Sequence, residues 1–236
     1  MYSIIPQSNY QKRGMLMGKE SKEMEIMCLN FLIDCYFGQS KDLLKAAIDR
    51  AYADMAMHTL KFNDKSDKKW ECRYKASEII KNRLIGYNTS ETFDTWREKT
   101  LNEIENEYKI PNVKIARGQA EKWLDMTIKY LFVFKTVFGE DDNRFNKIKT
   151  FLQSTGEKDY KPPIDSYILK EIGEKGTWSK NNPKAIESIR SKLGAEKDFL
   201  WELEMWSQLA EKHRTDDSNS YQKYYNAQKQ RESMEA

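Results

Sequence analysis

From Lys41 to Phe62, apolar residues return at steps of three and four: Leu44, Ala47, Ile48, Ala51, Tyr52 and Met55. At about 100° of rotation per residue these six fall on one stripe of an α-helix, and a stripe of that kind must be covered by other apolar surface. The same texture continues over Trp70–Leu84 and Glu91–Tyr108 and returns from about Ile115 into Phe138; a polar helix is expected over Asp142–Leu152, a short one near Asp165, and further helices near Pro183–Leu193 and Ala195–His213. Period-two alternation, the mark of a strand, is sparse. Only 5 prolines and 10 glycines punctuate the 236 residues, which favours long helices over many strands. The expected fold is all-α. Glu23–Phe37 is apolar nearly all round and is expected at the centre of the molecule.

Ile110-Pro111-Asn112 interrupts the pattern. We therefore expect two packed helical lobes sharing a cleft, over 1–110 and 111–214, with a polar tail or helix at 215–236 in which Tyr221, Tyr224 and Tyr225 fall on one helical face. Gly86 to Ser90 is a turn ending in N-cap residue types.

Charge limits the function classes. Forty basic and 37 acidic side chains leave a net charge of +3, too small for a polycationic nucleic-acid binder, so any basic surface is local. Cys28, Cys35 and Cys72 are odd in number and lack CxxC spacing, which argues against a disulfide framework and a zinc cluster and fits a reducing cytoplasm. The apolar run Tyr130 to Phe134 is far below spanning length, and no membrane association is expected. Gly14 to Lys19 lacks the spacing and the Ser or Thr of a phosphate loop. His58 and His213 are the only histidines, which leaves histidine-centred and zinc catalysis without their usual residues. Each is expected to pack or to meet the negative end of a helix.

Two segments carry the candidate chemistry: Gly118-Gln119-Ala120-Glu121-Lys122-Trp123-Leu124 and Pro162-Pro163-Ile164-Asp165-Ser166-Tyr167-Ile168-Leu169. Together they resemble the helix-hairpin-helix DNA glycosylases, the oxoguanine glycosylases above all, over roughly residues 115–172. In that family a lysine early in one helix is the nucleophile, and an aspartate in a Pro-hydrophobic-Asp segment opens a later helix. The matching positions are Lys122 and Asp165. The resemblance implies a glycosylase and abasic-site lyase that excises a damaged base such as 8-oxoguanine from double-stranded DNA. The base would be flipped out of the duplex, and no metal or cofactor is required. It further implies Lys129 as an alternative nucleophile or a neighbour that lowers the Lys122 pKa, a role shared by Arg117. DNA contacts would come from Lys114, Arg117, Gly118 and Lys161, and a stacking surface for the base from Trp123 or Trp178. The family's glycine-rich turn is reduced here to Gly118.

Lys122, Asp125 and Lys129 lie opposite the stripe of Ala120, Leu124, Thr127 and Leu131, so periodicity alone makes them a solvated face. Asp165 is an ordinary N-cap residue, a role compatible with catalysis because a cap carboxylate is held rigidly. The alternative function is a non-catalytic helical DNA-binding or protein-interaction module of bacterial or phage origin. An unrelated helical enzyme using Glu103, Glu105 or Glu107 ranks third.

Overall fold

The computed structural model describes residues 8–56, 68–109 and 114–208, with side chains described from Lys22 onward. The described residues form helices and loops with no strand, as the spacing requires: α1 Ser8–Phe37, α2 Leu43–Ala56, α3 Lys68–Ile85, α4 Phe93–Glu107, α5 Arg117–Phe138, α6 Lys149–Ser154, α7 Ser166–Glu171, α8 Pro183–Leu193 and α9 at 199–208. Two 3₁₀ turns, Asn143–Ile148 and Trp178–Lys180, join them. His58, His213, the stretch beyond Ala56 to Phe62, Ile110-Pro111-Asn112 and the tail with Tyr221, Tyr224 and Tyr225 lie outside the described residues. No helix among the described residues is long and apolar enough to cross a membrane.

The central element is α5, and this corrects the expectation for Glu23–Phe37. That stretch forms the end of α1 and lies at the edge, with Met24, Met27, Phe31 and Leu32 exposed. Apolar content around a whole helix signals burial only when enough neighbours exist to cover every side. Helix α5 has them. Its stripe of Ala120, Leu124, Ile128 and Leu131 packs on the Leu44, Ala47, Ile48, Ala51 and Met55 stripe of α2 in one apolar core. Trp123 is fully buried there, against Tyr52 at a ring separation of 4.9 Å, with its indole N–H on the Ile48 carbonyl. Both sides of residue 110 contribute to this core. An aromatic group of Phe93, Trp96, Phe151, Tyr160 and Phe199 extends it toward α4, α6 and α9.

The opposite side of α5 is covered too. Ile186, Ile189 and Leu193, spaced three and four apart on α8, meet Ile164, Ile168 and Leu169 of α7 in a second, smaller core. Trp178 packs against both cores. The expected solvated face of α5 is therefore an interior face, because α7, α8 and α9 fold back over it.

Candidate active site

The interior face of α5 carries acids and bases that must find partners, since an unpaired buried charge is strongly destabilising. At its N-terminal end, the backbone N–H of Ala116 donates to Gln119 Oε1 at 2.8 Å, one half of a capping box. Gly118 is the next constraint. Its N–H donates to the Asn181 carbonyl, and a Cβ there would overlap the Trp178 carbonyl oxygen and stand 3.2 Å from the carbonyl carbon. Only glycine lets the Trp178–Lys180 turn lie this close, and that approach delivers the Trp178 ring to the next turn of α5.

Lys122 sits on that next turn. Its Nζ lies 4.4 Å from the Trp178 ring centroid and 3.9 Å from Asp165 Oδ2. Both charged side chains are mostly enclosed, at 11% and 14% exposure. Asp165 is the N-cap of α7: Oδ1 accepts from the N–H groups of Tyr167 at 2.9 Å and Ile168 at 3.1 Å, while Oδ2 faces the lysine. Pro162 and Pro163 restrict the chain before it to extended geometry, and Asp165 continues extended. Burial pushes the Lys122 amine below the ordinary lysine range and Lys129 adds to this, whereas Asp165, Asp54 and Glu202 pull it back. A cation over an indole face and beside a carboxylate has a defined resting place, and its proton is held less tightly than that of a surface lysine.

No family model, curated protein or solved structure matches this chain.

Two turns further along α5, Lys129 is buried and donates to both carboxylate oxygens of Glu202 on α9, at 2.7 and 2.9 Å. Those two hydrogen bonds commit the Lys129 side chain to Glu202, which suits a neighbour that repels the Lys122 proton better than a nucleophile. Burial raises the Glu202 carboxyl above its usual range, against the pull of Lys129. Asp54 of α2 completes the ring of charges, accepting from Arg50 at 2.6 Å and from the Tyr130 hydroxyl.

The other expected site residues are placed differently. Arg117, expected at a DNA surface and beside Lys122, is buried; it pairs with Glu98 and, at 2.9 Å, with Glu105, and donates to Asn102 at 3.1 Å. Gly118 is buried under the Trp178 turn. Trp123 faces the main core, so of the two stacking candidates only Trp178 stands at the lysine. Lys161 is half-buried and pairs with Asp94 at 3.0 Å. Lys114 is exposed.

Sequence reasoning missed Glu202, Asp54 and a second buried network. In that network Arg97 of α4 binds Asp125 at 2.8 and 2.9 Å and Glu121 at 2.9 Å, and Arg190 of α8 binds the same two acids at 3.0 and 2.8 Å. One signal was available: Glu121, Asp125 and Lys129 share a helix face, and three charges on the inward side of a central helix require partners elsewhere. Lys170, Lys175, Lys180 and Lys184 are exposed on the segments that carry Asp165 and Trp178.

Proposed function

We propose that this chain is a DNA glycosylase with abasic-site lyase activity toward a damaged base such as 8-oxoguanine. Lys122 is the nucleophile in this reading, and Asp165 supports the developing sugar cation. The observation that carries it is the 3.9 Å approach of the enclosed Lys122 amine to the N-cap carboxylate beneath the Trp178 ring. A nucleophilic lysine must spend time unprotonated, and burial of the amine favours that state. A carboxylate already held by two backbone N–H groups costs little reorganisation when positive charge develops beside it.

The neutral amine attacks the anomeric carbon, and the glycosidic C–N bond breaks. The base leaves with the bonding electrons and takes up a proton. Loss of the amine's remaining protons and opening of the sugar ring give an imine between Lys122 and the deoxyribose. β-Elimination then removes a proton from C2′, forms the C2′–C3′ double bond and breaks the C3′–O bond, the 3′ phosphate leaving with the bonding electrons. Exposed Lys170, Lys175, Lys180 and Lys184 are the phosphate contacts this reading uses, since Arg117 is committed inside the protein.

The test is borohydride reduction with duplexes carrying an oxoguanine-centred lesion panel, which converts the imine to a stable cross-link. Wild type is expected to trap, Lys122→Gln to lose the adduct while still binding DNA, and Asp165→Asn to slow base loss with the α7 cap retained. Absence of excision by wild type across the panel sinks the proposal, whereas trapping by Lys122→Gln would transfer the nucleophile to another lysine.

One observation favours the non-catalytic interaction reading: the exposed apolar side of α1, with Met24, Met27, Phe31 and Leu32. A chain that traps no DNA and excises no base would be read in that way.

A further inference from the structure

The cleft between α2 and α3 encloses about 380 Å³, near the lower end of the range of roughly 300–1,000 Å³ for small-ligand sites. Leu44 and Ile48 of α2 contribute apolar lining, and Trp70 and Tyr74 of α3 line it from the other side. Those two rings, one helical turn apart, remain 55% and 67% exposed. Large aromatic side chains left open beside a cavity supply a stacking platform for a flat ring.

The charges narrow the ligand further. Lys45, Arg73, Lys81 and Lys147 oppose Asp42, Asp49 and Glu78 around the cleft. Asp49 already serves Lys45 and Arg73, and Glu78 serves Lys81. Lys147 makes no ion pair among the described residues, which leaves it open to an anionic group. A cationic ligand is disfavoured, because Lys69 and Arg73 already stand 4.9 and 5.8 Å from the Trp70 ring.

We propose that this cleft binds one nucleotide unit, with its base stacked on Trp70 and Tyr74 and its phosphate at Lys147. Neither Lys122 nor Asp165 lines it, so the inference is independent of the glycosylase reading. The unit can be a free mononucleotide or part of a single strand, and the assay separates the two sources.

The full chain is dialysed to equilibrium against labelled dAMP, and a fluorescent oligodeoxyadenylate is titrated by anisotropy. Saturable dAMP binding assigns the site to the free nucleotide; binding of the oligonucleotide alone assigns it to a strand. In either case Trp70→Ala and Tyr74→Ala are each expected to weaken binding at least about fivefold, as loss of one stacking surface does. Ser77 also lines the cleft, so Ser77→Trp, which fills it, should abolish binding, and Lys147→Glu should weaken dAMP far more than adenosine. The exposure of Trp70 and Tyr74 keeps their variants folded, which far-UV circular dichroism checks. No saturable binding of either probe overturns the proposal. So do unchanged affinities in Trp70→Ala and Tyr74→Ala, or inorganic phosphate competing as well as unlabelled dAMP.

Discussion

Gly118→Ala sets two opposing effects against each other, and the structure decides which wins. In an open helix, alanine for glycine stabilises by about 1 kcal/mol through its lower backbone entropy. Here the added Cβ would overlap the Trp178 carbonyl oxygen, with the carbonyl carbon at 3.2 Å and Asn181 Cβ at 3.5 Å. A backbone carbonyl cannot swing aside as a lysine tip would, so the Trp178–Lys180 turn must lift and the Gly118 to Asn181 hydrogen bond must lengthen. Overpacking of a filled interior costs roughly 1–3 kcal/mol. At the upper part of that range the net loss is about 1–2 kcal/mol, which for a domain of this size lowers Tm by roughly 2–8 °C. Urea denaturation followed by far-UV circular dichroism reads the change as a lower midpoint with an unchanged slope. If the variant equals or exceeds wild type in stability, the close approach is not what glycine provides, and the placement of Trp178 over Lys122 loses its explanation.

Three further outcomes follow from the buried charges. Arg97→Met leaves Glu121 and Asp125 with Arg190 as the main remaining cation and should cost about 3–5 kcal/mol in urea denaturation, as breaking a buried pair does. Glu121 is pushed up by its burial, but Arg97 and Arg190 beside it overcome this and hold it down at about 2. A depressed carboxyl stabilises above its unfolded value and loses that contribution as pH falls through the folded one. Wild-type stability should therefore drop between about pH 4.5 and 2, and the difference between wild type and Glu121→Gln should shrink over that window in pH-dependent urea melts. Glu202→Gln strands the buried Lys129 cation and should cost about 3–5 kcal/mol in the same assay. A change under 1 kcal/mol would mean that Lys129 reaches water.

Much of the secondary structure was legible in local patterns. The three-and-four spacing located α2 and α5, a helix was expected near Pro183 where α8 begins, and the sequence around Pro162-Pro163 offered Asp165 as a helix cap, all through interactions within a few residues. The 3₁₀ turn at Trp178 had no such periodic signal. Whether a face is buried was not local information. Lys122, Asp125 and Lys129 have the spacing of a solvent face, and Glu23–Phe37 has the composition of an interior helix; the fold reverses both. The periodicity of one helix states which residues share a face, while the number of neighbouring elements available to cover that face depends on contacts such as Lys129 to Glu202, 73 residues apart. Sequence by itself determined an all-α chain and the residues that cap and line its helices. Only the tertiary structure decided that α5 is enclosed on both sides, because burial of its charged face depends on Arg97, Arg190, Asp165 and Glu202 arriving from four separate segments to balance it.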